Sequence, residues 1–291
     1  MIAVNDIQSL FTSFTTTKIG VVGDIMLDTY WWGVVDRISP EAPVPIVSLQ
    51  RKETRVGGAA NVALNLRALG APTTLFSVIG KDAEGTELAS LLNKEGINTS
   101  YIHSSDTRVT TNKLRIMGRN QQMMRLDHEH TNDITSEQEA ALLDSFYKYV
   151  DTEKPSLIIL EDYNKGVLTP NIITSVIDYC NAKGIPTAVD PKQKNFLAYK
   201  NCTLFKPNLK EVKEGLKITI GDITLQNMNK VHTVLNENLA ARFVKKIKIW
   251  QQTTAQLQLQ STPYKLYLKL LMKKPFRVSL NIFLSLCMKN I

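Results

Sequence analysis

Residues 56–70 read VGGAANVALNLRALG: a glycine pair, then Val62, Leu66 and Leu69 at i, i+4 and i+7, then Gly70. That spacing predicts an amphipathic helix opening at Gly57-Gly58 and stopping at Gly70, where glycine accommodates the left-handed backbone of a helix end. On either side, Lys18 to Gly23 and Thr73 to Ile79 are short apolar or β-branched runs. Runs of that kind mark strands covered on both faces. Strand, helix, strand is the repeating unit of a parallel sheet.

The alternation continues along the chain. Ala83 to Lys94 reads as a helix closed by Gly96, Ser156 to Leu160 as a strand, and Thr169 to Ala182 as a helix with Pro170 in its first turn. Pro186 to Val189 reads as a strand, and Thr203 to Phe205 as a short one leading into a helix after Asn208. Two stretches interrupt the pattern. Tyr30 to Glu53 and Arg108 to Leu126 mix polar, apolar and β-branched residues without a helical period. They are expected to form a small sheet standing off the main one, able to close over a substrate and exclude water. The fold expected is α/β, a mostly parallel sheet flanked by helices with a small β lid, within residues 1–239.

The chain of 291 residues is long enough for a sizeable core, and 43% hydrophobic with 21% charged residues is ordinary globular composition. No apolar run approaches the ~18 residues that spanning a bilayer takes. The opening MIAVNDIQSL has an early acid and no basic segment before an apolar one, so a secretory leader is not expected. Cys180, Cys202 and Cys287 form no C-x-x-C, and His103, His128, His130 and His232 lack metal-site spacing; His128 and His130 read as a polar loop. A reducing, cytoplasmic setting is expected, with neither a disulfide framework nor a zinc site.

The net charge of +8 comes from one end of the chain. Ten of the 35 Lys and Arg and none of the 27 Asp and Glu lie from Ala240 onward, so the first 239 residues carry a net charge of −2. Nucleic acid is therefore not an expected partner of the body, nor is a membrane. All 14 glycines fall at or before position 221. An α/β fold needs glycines at its turns and helix ends, so residues 240–291 read as an anomalous tail outside the body's pattern. A reading frame shifted near codon 240 would account for the missing glycines and acids together. The rival is a basic amphipathic tail for membranes or RNA around Tyr264 to Phe276, but its apolar and basic residues keep no sustained helical period.

Chemistry-bearing residues gather just after strands. In Gly23-Asp24-Ile25-Met26-Leu27-Asp28, two carboxylates follow the first strand. They read either as acceptors for sugar hydroxyls at a sheet's carboxyl edge or as a turn residue and a helix cap. Gly57-Gly58-Ala59-Ala60-Asn61 reads either as a close approach of backbone to a ligand at a helix N-terminus or as a tight turn. Glu161-Asp162-Tyr163-Asn164-Lys165-Gly166 and Asp190-Pro191-Lys192 put charge after two further strands. Asn208 and Glu211 are spaced as a capping box, or as groups orienting phosphates and the water shell of a magnesium ion. Neither G-x-G-x-x-G nor G-x-x-x-x-G-K-[ST] occurs, so dinucleotide-fold and P-loop readings lack their fingerprint.

These pieces, in this order, resemble the ribokinase-like (PfkB) carbohydrate kinases. The resemblance rests on VVGDIMLDTYWWGVVDRISPEAPVPIV (21–47), VGGAANVALNLRALGA (56–71), RNQQMMRLDHE (119–129), LEDYNKGVLT (160–169), AVDPKQKNF (188–196) and FKPNLKEV (205–212). It covers residues from about 18 to about 215. The glycine motif is shared across the family, whereas RISPEAPVP at 37–45 is similar to the narrower group of D-glycero-β-D-manno-heptose-7-phosphate kinases. What the resemblance implies is transfer of a phosphoryl group from ATP, with Mg²⁺, to the anomeric hydroxyl of the heptose phosphate, giving the 1,7-bisphosphate used in lipopolysaccharide core assembly.

It further implies that Asp24, Asp28, Gly57, Gly58 and Asn61 hold the sugar, and that Arg37, Glu41, Arg119, Gln122 and Arg125 belong to the lid side. Asp162 and Lys165 would line the reaction centre, and Lys192, Asn208 and Glu211 the nucleotide side, with Mg²⁺ held through water near Asn208 and Glu211 and no direct protein ligand. A homodimer through the lid is implied as well. The departure lies downstream, where the family pattern continues to a G-A-G-D whose Asp takes the hydroxyl proton. No G-A-G-D occurs here, and Gly221-Asp222, the last Gly-Asp pair, reads as a loop. The family's catalytic base is thus without a counterpart, the C-terminal part of the fold reads as missing or replaced, and impaired activity is expected. No nucleotidyltransferase half of the kind found in bifunctional relatives is recognised. Two other readings stay open: a kinase for another sugar such as fructose or ribose, and a non-catalytic binder of sugar phosphates or nucleotides.

Overall fold

The computed structural model describes residues 11–119, 121–219, 225–241, 243 and 244. Asn120, the Gly221-Asp222 pair, Cys287 and the rest of the basic tail from 245 lie outside the described residues.

Ile19–Gly23 (β1) is buried at all five positions, as a strand covered on both faces must be. It pairs in parallel with Thr73–Gly80 (β4) on one side and Leu157–Glu161 (β8) on the other. Outward from these lie Asn98–Ser105 (β5) beside β4. On the far side come Thr187–Asp190 (β9), Leu204–Phe205 (β10) and Phe243–Val244 (β11). The result is a seven-stranded sheet in the order β11-β10-β9-β8-β1-β4-β5 with every neighbouring pair parallel. Its last described strand, β11, falls beyond residue 239, where the sequence reading closed the body.

Helices cover both faces. Ala59–Ala68 (α1) and Ala83–Lys94 (α2) bury Ala63, Leu66, Leu88 and Leu92 against Ile19, Val21 and Leu75. On the opposite face, Ser136–Glu153 (α3), Pro170–Ala182 (α4), Leu209–Gly215 (α5) and Leu225–Leu239 (α6) pack Leu142, Phe146, Ile173, Val176, Val212 and Leu235 over Val22, Ile158 and Leu160. Alternate residues of one strand therefore feed two separate cores.

The second sheet is the lid. Ile25–Ile38 (β2) and Pro45–Gly58 (β3) form a long antiparallel pair, Asn112–Gly118 (β6) adds to β2 in parallel, and Gln121–His128 (β7) pairs with β6, giving the order β3-β2-β6-β7. These strands start nearer the main sheet than Tyr30 and run past Glu53. Asp28 accordingly lies within β2, neither in a turn nor at a helix cap. Among the described residues, six of the seven exposed large hydrophobics, Ile38, Val44, Leu49, Met123, Met124 and Leu126, belong to the lid or its connections.

Candidate active site

Parallel strands bring successive carboxyl ends to one edge, and here the register is tight. Gly23 of β1 sits opposite Glu161 of β8, and Glu161 opposite Asp190 of β9. The residues that follow these strands project from that edge, where open α/β sheets bind ligands.

Asp24 comes directly after β1 and is 1% exposed. Its Oδ2 accepts the backbone N–H groups of Tyr163 at 2.8 Å and Lys165 at 3.0 Å, and its Oδ1 accepts that of Val167 at 3.0 Å. Burial, reinforced by the charge of Asp162, raises its pKa to about 6 against these lowering bonds. Asp24 thus holds the 163–167 loop in place, and in this arrangement both oxygens are committed to that loop, not turned to a sugar.

Gly58 needs to be glycine. Its φ is +62°, and a Cβ there would lie 2.3 Å from the Asp24 carbonyl oxygen, which accepts the Ala59 N–H at 2.9 Å. A Cβ on Gly57 would lie 2.4 Å from Asp28 Oδ2, so the bare backbone at 57 makes room for that carboxylate. Gly58 offers no side chain to cap α1. First-turn amides of a helix lack intrahelical acceptors, so the glycine pair delivers a donor-rich helix start, with Asn61 in its first turn, beside Asp28.

Asp28 is paired with Arg115 Nη1 at 2.6 Å, and that guanidinium also lies over Tyr30 at 5.2 Å. From the lid, Lys113 reaches Glu129 at 3.0 Å and Asp127 at 3.3 Å. Glu129 in turn holds Lys165 Nζ at 2.6 Å, and its carboxyl is kept below the usual range by its hydrogen bonds to Lys165 and Lys113, which outweigh burial. Arg108 donates to the carbonyls of Asn132 and Lys165. The lid and the 163–167 loop are thus tied by a continuous chain of charges.

Asp162 is buried, accepts Asn164 N–H at 2.7 Å and the Tyr199 hydroxyl at 2.8 Å, and has its pKa raised chiefly by burial. Lys192 Nζ pairs with Glu211 Oε1, stands 3.8 Å from Asp190 Oδ1, and lies 5.5 Å from the Tyr163 ring centre. Lys206 Nζ pairs with Asp190 Oδ2 at 2.7 Å. Asn208 caps α5 by the reciprocal box: its Oδ1 accepts Glu211 N–H at 2.9 Å, and Glu211 Oε2 accepts Asn208 N–H at 2.7 Å. The capping alternative of the sequence reading is realised. It leaves a pair of lysines at the strand ends, which suits a polyphosphate.

The structure therefore brings Asp24, Asp28, Gly57, Gly58, Asn61, Asp162, Lys165, Lys192, Asn208 and Glu211 to one edge. It does not bring Arg119 or Gln122 there. Gly118 sits opposite Gly33 and Met117 opposite Gln122, so both residues lie at the far end of the lid. At about 3.3 Å per residue that is roughly 15–20 Å along the strand from Asp28. Arg119 instead donates to the Val35 carbonyl at 3.0 Å, and Arg125 pairs with Asp127. Arg37 and Glu41 are exposed at the same distal end. Residues the sequence reading did not single out are Lys113, Arg115, Glu129, Tyr199 and Lys206. Glu129 stood in a quoted motif, but its lysine partners lie 16 and 36 positions away and leave no periodic trace.

Among the described residues no helix is long and apolar enough to cross a membrane, and no group of three His, Cys, Asp or Glu is placed to hold a metal ion. Cys180 and Cys202 are buried with free thiols.

Residues 16–245 match the family model described as pfkB family carbohydrate kinase. The chain is 46% identical over 202 residues to the bifunctional protein HldE of Methylobacillus flagellatus, covering 69% of this chain and 41% of that one. HldE of Geobacter sulfurreducens is 39% identical over 75% of this chain and 44% of its own length, and HldE of Coxiella burnetii 45% identical over 68% and 40%. The chain spans less than half the length of these curated relatives. Among solved structures, the tetrameric inhibited form of phosphofructokinase-2 from Escherichia coli has a TM-score of 0.61 at 18% identity, covering 78% of this chain and 72% of that one. Arabidopsis thaliana ribokinase complexed with ribose and ATP has a TM-score of 0.56 at 16% identity, covering 79% and 70%. At such identities these likenesses show a shared ribokinase-like fold.

Proposed function

The chain belongs to the pfkB family of carbohydrate kinases, and on that footing we propose that it is built to phosphorylate the anomeric hydroxyl of D-glycero-β-D-manno-heptose 7-phosphate with ATP and Mg²⁺. The observation that carries the reading is the register Gly23–Glu161–Asp190, which lines up acids and lysines at one sheet edge facing the glycine pair and Asp28. The identities of 39–46% to HldE proteins support the heptose phosphate over fructose or ribose.

In this reading Asp28 and the first turn of α1 hold sugar hydroxyls, while Asp24 positions the 163–167 loop that carries Lys165. Lys192 takes a nucleotide phosphate in exchange for Glu211, and Asn208 and Glu211 orient water around the cation. Mg²⁺ supplies charge neutralisation on the transferring phosphoryl group. The lid, tethered through Glu129 and Arg115, excludes water, and its exposed apolar residues serve a homodimer. A cytoplasmic setting is part of the same proposal.

The sequence carries no G-A-G-D, so this reading includes impaired turnover. A missing proton acceptor and a missing phosphate cradle each cost about 10²-fold or more. ADP release from the purified chain with heptose 7-phosphate is expected at least that far below the rate of a version whose other reading frame restores the motif. An ordinary kinase rate from the chain as it stands overturns the impairment. Saturable sugar-phosphate binding in calorimetry, with no ADP release from the restored version, favours a non-catalytic binder.

A further inference from the structure

The strand-end cluster contains one acid more than it has cations to match. Glu161, Asp190 and Glu211 are each nearly inaccessible, at 2%, 6% and 6% exposure. Lys206 is taken by Asp190, and Lys192 by Glu211 with Asp190 at a longer distance. Among the described residues Glu161 has no ion pair, and its Oε2 is buried without a hydrogen-bond partner. A buried ionised carboxylate in that position would face Asp190 directly across the β8–β9 register. Burying such a charge unpaired is strongly unfavourable, and a carboxyl so placed takes up a proton instead.

The groups facing it agree. Asp190 from β9 and Glu211 from α5 oppose its charge, while Lys206 after β10 and Lys192 after β9 oppose its proton but are already shared out. Asp162, the next residue, turns away to Tyr199 and Asn164.

We propose that Glu161 is a positioning residue for the polyphosphate side of the cleft: it carries a proton in the ligand-free protein and so leaves Lys192 free to exchange Glu211 for an incoming phosphate. The inference rests on the kinase reading only for the identity of the anion. With Glu161 neutral, two acids balance two lysines. With Glu161 ionised, three acids hold the same two lysines, and drawing Lys192 toward an anion becomes harder. Ionisation moves the proton to solvent and adds one negative charge beside the bound phosphate. Anion affinity therefore falls as pH rises.

The test uses the full chain and its Glu161→Gln variant, which keeps the shape of the neutral acid. Infrared difference spectra at pH 7 are expected to show a protonated carboxyl stretch in the wild type that the variant lacks. Calorimetric titration with inorganic tripolyphosphate, and separately with a non-hydrolysable ATP analogue, is expected to show wild-type affinity falling up to about tenfold per pH unit above the ionisation, the limit for one linked proton. The Glu161→Gln profile is expected to stay flat. A wild-type spectrum without that band, or the same pH profile in both proteins, overturns the inference. Tripolyphosphate binding with the expected pH dependence, but no binding of the ATP analogue, supports the role of Glu161 and overturns only the nucleotide assignment.

Discussion

Asp24 spends both of its oxygens on three backbone donors, and this makes it a structural keystone of the cleft although its motif reads as a sugar ligand. Replacing it by Ala strands the amides of Tyr163, Lys165 and Val167 in a buried place. Charge-assisted bonds are each worth about 1.5–3 kcal/mol, and relief of the buried charge returns part of that. Asp24→Ala is therefore expected to lower unfolding free energy by about 2–4 kcal/mol in denaturant titration, and to speed amide exchange at 163, 165 and 167 ahead of the β1 amides. Equal loss of protection in both places would mean that Asp24 supports the whole sheet and not the loop. Sequence gave no means of separating ligand from keystone, because the partners lie about 140 positions away and are backbone groups. Gly58 differs: its place at a helix opening already read as a tight turn or a close backbone approach, and the structure adds the reason, a φ of +62°.

Elements with a strong local signature were legible, and those held by distant partners were not. The helix expected over Ala83 to Lys94 has those bounds, and Thr169 caps α4 with Pro170 at its start. Both carry their start signals within one turn. By contrast β5, α3 and α6 went unread, although Thr135 and Gln138 form a full capping box at the head of α3. The strand β5 is polar because it is the sheet's described edge, with only β4 beside it. The lid was recognised as a departure from helical period, but its strands extend further at the base, where Asp28 is fixed by Arg115 from another strand. Met124 and Leu126 are 55% and 51% exposed at the far side of this lid, more apolar surface than an isolated sheet edge usually leaves in water. If the proposed homodimer forms through the lid, the double change Met124→Lys, Leu126→Lys is expected to convert it to a monomer in sedimentation velocity without altering the thermal midpoint of the monomeric body. An unchanged sedimentation coefficient in the variant would remove the lid from the association surface.

Three buried acids along one sheet edge give the protein an unusual dependence of stability on pH. Asp24 is raised to about 6, and Asp162 and Glu161 are raised as well, all three chiefly by burial. Between their folded and unfolded pKa values the native state binds more protons than the unfolded chain, so unfolding free energy falls as pH rises through that window. For Asp24 alone, the difference from 3.8 to about 6 amounts to about 3 kcal/mol once pH exceeds 6. His103 works against this, since burial lowers its pKa and the unfolded chain takes up a proton first. It is one half-buried group against three acids. Asp127, Glu129 and Asp82 have depressed values, so their contribution is present above the unfolded carboxyl range and is lost only in stronger acid. The balance places greatest stability in mild acid: the denaturation midpoint is expected to be higher at pH 5.5 than at pH 7.5, and to fall again below about pH 4 as the lid's ion pairs are protonated. In Asp24→Asn the slope between pH 7.5 and 5.5 should shrink, because one of the three proton-binding groups is gone. A midpoint that rises steadily from pH 5.5 to 7.5 would mean these carboxyls are solvated in solution, and the closed edge on which the cleft depends would have to be abandoned.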